Sequence, residues 1–139
     1  MLSLKPHSLA LGAVLLCVTA TAWAQDMAAA AFAPARAAAV ADETAQRDWH
    51  GRVLLPAFGG PYSRIYQECT TGAAAADAQP FSFVVVIAAD GTVQQLLADR
   101  STRVWSCMRG KLAFERLPAP PAAPFHLLMH QRFRETAPQ

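Results

Sequence analysis

The stretch FSFVVVIAADGTVQQLLADRSTRVWSCMRG, residues 81–110, decides the fold. Its opening FSFVVVIA is rich in β-branched and aromatic residues and apolar on both faces, which predicts a central strand. Asp90-Gly91 follows, and such a pair between two apolar runs is typical of a hairpin, because glycine adopts the positive φ that the turn requires. The more polar TVQQLLA then predicts a return strand with one wet face.

A helix is predicted directly after this hairpin. Asp99 or Ser101 is expected to cap its N-terminus, because a short side-chain oxygen can accept a hydrogen bond from the first free N–H groups of a helix. Cys107 falls at the margin of its apolar face. That face combines Val104, Trp105, Met108 and Leu112.

The segment before the hairpin, GGPYSRIYQECTTG, predicts another helix. Pro61 fits its first position and Gly72 fits the residue after its last turn. The spacing i, i+3, i+4, i+7 predicts one buried stripe, formed by Tyr62, Ile65, Tyr66 and Cys69. Further upstream, His50–Pro56 reads as a short first strand.

The C-terminal part predicts a stiff connector and a closing strand. LPAPPAAP holds four prolines in eight residues and suits neither a helix nor a central strand. FHLLMHQRFR alternates between two faces, as a strand does. The predicted buried face carries Phe125, Leu127, Met129 and Phe133, and the predicted exposed, basic face carries His126, His130, Arg132 and Arg134.

The N-terminus predicts export. Residues 1–24 combine one lysine, an apolar core and the small residues of AWA, which is the pattern of a secretory signal peptide cleaved after Ala24. Residues 25–48 form an Ala-rich leader expected to be disordered or a frayed helix outside the core, and residues 49–136 form the folded domain. The alternative is an uncleaved membrane anchor, but the apolar run of the signal segment is shorter than the roughly 20 residues that span a bilayer.

Two cysteines and a balanced charge restrict the function further. Cys69 and Cys107 remain after cleavage, and an even pair in an oxidising compartment predicts a disulfide before it predicts a reactive thiol. The chain has 12 Lys+Arg and 10 Asp+Glu, and Lys5 is the one charged residue in 1–24, so the mature chain is close to neutral. Nothing in this charge favours a nucleic-acid partner.

The residues that could be taken for catalytic groups or metal ligands are better explained as ordinary surface or structural residues. His126 and His130 have a helical metal-site spacing, but on a strand four residues separate them by about 13 Å, so one ion cannot take both. No serine-hydrolase, P-loop or dinucleotide motif is present in the sequence. We therefore expect no catalytic residues, no cofactor and no metal. The alternative is a thiol or hydrolytic enzyme that uses His50, His126 or a free cysteine.

The order helix, strand, Asp-Gly turn, strand, helix, proline connector, strand resembles the C-terminal domain of TonB and its relatives. The resemblance is carried by FSFVVVIAADGTVQQLLADRS and VWSCMRGKLAFERLPAP and covers roughly residues 60–134. The pair Cys69 and Cys107 is similar to the paired cysteines of some periplasmic single-module members. The chain departs from energy-transducing TonB because its N-terminal segment looks cleavable and no long Pro/Lys/Glu-rich spacer follows.

Together these features predict an exported α+β domain: a two-layer sandwich with a small antiparallel sheet and two helices on one face. The resemblance implies a periplasmic binding module without catalytic activity. Its expected partner is an envelope protein or peptide that pairs with the edge of the closing strand, through His126, His130, Arg132 and Arg134. A second alternative is a membrane-anchored, TonB-like transport accessory.

Overall fold

The computed structural model describes residues 15–133, with side chains from residue 27 onward. Residues 1–14 of the predicted signal peptide, and Arg134, lie outside the described residues. For residues 15–26 only the backbone is described. The helices are α1 (Leu15–Ala45), the short α2 (Arg47–Trp49), α3 (Leu55–Thr70) and α4 (Arg103–Leu112), and a π-helical turn (His50–Leu54) joins α2 to α3. The strands are β1 (Phe81–Ile87), β2 (Val93–Ala98) and β3 (Phe125–Gln131).

The three strands form one antiparallel sheet in the order β2-β1-β3. The hairpin is as predicted: β1 is central and nearly all buried, and Gly91 in the turn has φ +84°. The closing segment is a strand, and it lies at an edge of the sheet beside β1. A bulge between Val86 and Ile87 shifts the register of β2 against β1.

The main core lies between one sheet face and the helices α3 and α4. The predicted stripe of α4 is buried throughout, and Ile65 and Cys69 of α3 are buried beside it. The sheet contributes Phe83, Val85, Ile87, Phe125 and Leu127, each with 0 or 1% of its surface exposed. Cys69 and Cys107 form a disulfide that joins the two helices, as predicted.

The Ala-rich segment is a helix packed on the opposite face of the sheet, and the prediction that placed it outside the core was wrong. Phe32 and Ala35 of α1 pack against Val84 and Val86 of β1, and Ala39 is buried as well. Alanine favours helix, and its small side chain allows the helix backbone to come close to a flat sheet. The α+β class is confirmed. Because α1 covers the second face of the sheet, the domain has three layers and not the expected two.

Three local predictions were wrong. His50–Pro56 is helical and not a strand, because Leu54 and Phe58 are buried one turn apart on the same helix face. Pro56 therefore takes the first-turn position expected for Pro61, which lies inside α3. At α4 the N-cap is Thr102, whose Oγ1 accepts a hydrogen bond from the N–H of Trp105, and not Asp99 or Ser101.

Candidate functional site

The four residues predicted on the outer row of β3 do not form one basic surface. His126 is half-buried under the C-terminal part of α1, where its Nδ1 lies 2.7 Å from Oδ2 of Asp42. The same carboxylate oxygen accepts a hydrogen bond from the His126 backbone N–H at 2.9 Å. His126 therefore holds α1 on the sheet, and it is not an exposed partner-binding group as predicted. Arg134 lies outside the described residues.

His130 and Arg132 are brought together at the far end of β3. Both are exposed, and Nδ1 of His130 lies 2.8 Å from the Ser82 hydroxyl on β1. They line an open groove of about 530 Å³ between β3 and α3, which we call the β3 groove. It is formed by Tyr62, Tyr66, His130, Gln131, Arg132 and Phe133.

Aromatic rings form one wall of the β3 groove. Tyr62 stacks between Phe58 and Tyr66 at ring distances of 5.4 and 6.3 Å, and Tyr66 lies 6.1 Å from Phe133. The hydroxyl of Tyr62 donates a hydrogen bond to Oε1 of Gln131, the one buried polar residue of the described core. The groove is therefore apolar and aromatic on the helix side and basic on the strand side.

The backbone of β3 is open beside this groove. In antiparallel pairs the hydrogen-bonded residues alternate, and the His126 N–H that reaches Asp42 shows that even-numbered residues of β3 direct their backbone groups away from β1. Leu128 and His130 follow the same phase. Among residues 15–133, no hydrogen bond reaches their outward N–H groups. The edge is thus closed at His126 and open from Leu128 to His130.

Burial raises the pKa of Tyr62 to about 12, with a smaller contribution from Tyr66. Because this pKa is higher than that of an exposed tyrosine, the unfolded chain loses the proton first as the pH rises. The contribution of protonated Tyr62 to the free energy of unfolding is therefore complete below about pH 10 and is lost as the pH rises from about 10 to about 12.

We expect an ultraviolet titration of the folded protein to show a tyrosine that ionises near pH 12, because Tyr62 is shielded from water on the groove wall. The Tyr62→Phe variant should lose this late transition. The absence of a transition near pH 12 in the folded protein would contradict this placement.

The groups considered for catalysis are engaged elsewhere or isolated. His50 lies against Phe125, with its Nδ1 3.9 Å from Oε1 of Glu43, and Cys69 and Cys107 are bonded to each other. The described part of the chain brings no three His, Cys, Asp or Glu side chains together as a metal site would need. Within residues 15–133, no helix combines the length and apolar character that a bilayer crossing needs.

The fold and the groove define a small disulfide-bonded α+β domain with an open sheet edge. Comparison with protein-family models, with curated proteins and with solved structures finds no match to this chain. The Tyr62–Gln131 contact, between residues 69 apart in sequence, is the part of the site that periodicity does not reveal.

Proposed function

We propose that this protein is an exported binding module that receives an extended segment of an envelope protein or peptide at the edge of β3. The observation that carries the proposal is the open backbone from Leu128 to His130 beside the β3 groove. An extended chain added there gains main-chain hydrogen bonds, while the groove selects its side chains. The proposed role is binding, without catalysis.

The groove suits a partner segment with an aromatic or aliphatic side chain and a carboxylate. The rings of Tyr62, Tyr66 and Phe133 offer an apolar wall. Arg132 is exposed, and no ion pair involves it within the described residues. Charge at an interface rim acts mainly on the association rate and on specificity, so salt should weaken this binding.

Export to the periplasm is part of the proposal. The N-terminal sequence has the pattern of a signal peptide, and the Cys69–Cys107 pair suits an oxidising compartment. The order of helices and strands, with an exposed last strand, also agrees with a TonB-like module. Intact-mass measurement of the protein recovered from a periplasmic fraction tests export, because it reports cleavage after Ala24 and oxidation of the thiols together.

Proline at position 130 is the sharpest test of strand addition. The His130 N–H faces away from β1, so His130→Pro removes an outward donor without breaking the ladder to β1. The matched variant His130→Ala loses the same imidazole and keeps the N–H. We expect His130→Pro to retain less than a tenth of the envelope partner that His130→Ala captures from a membrane extract.

A second variant pair tests the charge. Arg132→Glu/Arg134→Glu should weaken capture and remove its salt dependence, whereas Arg36→Glu on the exposed face of α1 should change neither. Hydrogen exchange on the complex should show new protection at the amides of Leu128 and His130. Unchanged capture by both His130→Pro and the charge-reversed double variant would overturn the proposed site.

A further inference from the structure

The other edge of the sheet carries a second groove, between β2 and α4. It encloses about 590 Å³ and is lined by residues 93–97 of the strand and by Ser106, Arg109, Gly110, Ala113 and Phe114. We call it the β2 groove. It lies across β1 from the β3 groove and shares no residue with it.

The backbone of β2 is open along this groove. The N–H of Asp99 donates to the carbonyl of Ser82, which sets the phase of the ladder, so Leu96 directs its backbone groups away from β1. In the described chain, no hydrogen bond reaches its outward N–H group. The strand itself, VQQLLA, has no charge and no proline, the devices that commonly protect an exposed edge.

The wall opposite β2 has an apolar anchor and a free positive charge. Phe114 is 90% exposed, more than any other large apolar side chain that the structure describes. Arg109 is exposed, and no ion pair involves it among residues 15–133, whereas the neighbouring Lys111 is paired with Glu68. No acidic residue lines the groove.

We infer that the β2 groove is a second docking surface, which takes an extended peptide segment as a fourth strand with an aromatic side chain against Phe114 and a carboxylate against Arg109. Residues two apart in a strand share a face, so a segment with the pattern aromatic-x-acidic places both groups on the α4 side. A second copy of this chain is the weaker occupant, because paired β2 edges would bring two Arg109 guanidinium groups to one uncompensated interface.

Gly110 gives a variant that fills the groove without harming the fold. It lies exposed inside α4, and a Cβ added there meets nothing within 4 Å. Because glycine is a poor helix former, Gly110→Gln should preserve or raise the melting temperature while its side chain occupies the space of the peptide. Loss of binding in a variant that is at least as stable as the wild type cannot be attributed to unfolding.

The experiment uses the ¹⁵N-labelled, oxidised full chain and the probe acetyl-Thr-Val-Phe-Val-Asp-Thr-amide, with a matched peptide that carries Asn in place of Asp. We expect saturable amide shifts confined to Gln94–Leu97 and Ser106–Phe114, with a dissociation constant of about 1 mM or tighter. The Asn peptide should bind several-fold more weakly. Arg109→Gln should abolish that difference, and Phe114→Ala and Gly110→Gln should lose binding of both peptides.

Three results would overturn the inference. One is the absence of shifts at a peptide concentration of roughly 5 mM, well above the expected dissociation constant. Another is a set of shifts confined to the β3 groove. The third is a concentration-dependent dimer in sedimentation, together with protection of the Leu96 amide from hydrogen exchange in the absence of peptide. The variant His130→Pro should bind the probe normally, so failure at one edge is distinguishable from failure at the other.

Discussion

Replacing both Cys69 and Cys107 with alanine is expected to lower the melting temperature by roughly 10–20 °C. The disulfide closes a loop of 38 residues that contains the whole β-hairpin. For a loop of this length, the chain-entropy model gives about 4 kcal/mol, which is a large share of the stability of a small domain. The alanine side chains leave the α3–α4 contact otherwise intact, so the effect arises mainly in the unfolded state.

The ion pair between these helices cannot replace the bond. Nζ of Lys111 lies 2.7 Å from Oε2 of Glu68, but both side chains are about half exposed, and ion pairs of this kind contribute little. Reduction of the wild-type protein should therefore reproduce the melting temperature of the double variant. The double variant itself should not respond to reductant. Two thiols that titrate in the folded, air-oxidised protein would show that the pair is not bonded.

Local periodicity was sufficient to predict the three strands of the sheet and two helices on its main face, although the π-helical turn and the start of α3 were predicted as a strand. The strands of the hairpin are specified by β-branched runs on either side of Asp90-Gly91, and the buried stripe of α4 follows from spacing within ten residues. In each case the signal lies within the element that it specifies. The helix on the opposite face, α1, has no stripe of large apolar residues that would predict its burial. Ala35 and Ala39 are buried because the apolar face of the sheet lies against them.

The candidate site was only partly predictable because its contacts join distant parts of the chain. The prediction of an exposed, basic row on β3 rested on the assumption that this face of the strand is in contact with water. In the folded protein Asp42 reaches His126 across 84 residues, so one end of the row is used to hold α1. His130 and Arg132 remain exposed beyond the reach of α1. The sequence pattern does not give the position of α1. It therefore could not predict which part of the β3 edge stays open.

Substitution of Gly91 is expected to destabilise the protein by about 3 kcal/mol or more, for two separate reasons. Its φ of +84° costs an L-residue roughly 1–2 kcal/mol. In addition, a Cβ at this position would overlap the backbone carbonyl oxygen of Leu117. That approach is fixed, because the N–H of Leu117 donates to the Gly91 carbonyl at 2.9 Å, and overpacking of such a contact costs about 1–3 kcal/mol.

Gly72 provides the matched control that separates the two costs. It also has a positive φ, +74°, but an added Cβ meets nothing within 4 Å. Chemical denaturation should therefore give Gly72→Ala a loss of about 1–2 kcal/mol, from backbone strain alone. Gly91→Ala should lose clearly more, and Gly91→Val more still, because β-branching adds to the overlap.

The difference between the two alanine variants measures how tightly the segment after α4 is held against the turn. Arg116 adds to that contact through a hydrogen bond of 3.3 Å from its Nη1 to the Asp90 carbonyl. If Leu117 is held as the hydrogen bonds indicate, Gly91→Ala should also weaken the exchange protection of the Leu117 amide, and Gly72→Ala should leave it unchanged. Equal losses of stability for the two variants would mean that the segment moves away at little cost, and that the turn is held by its own backbone geometry.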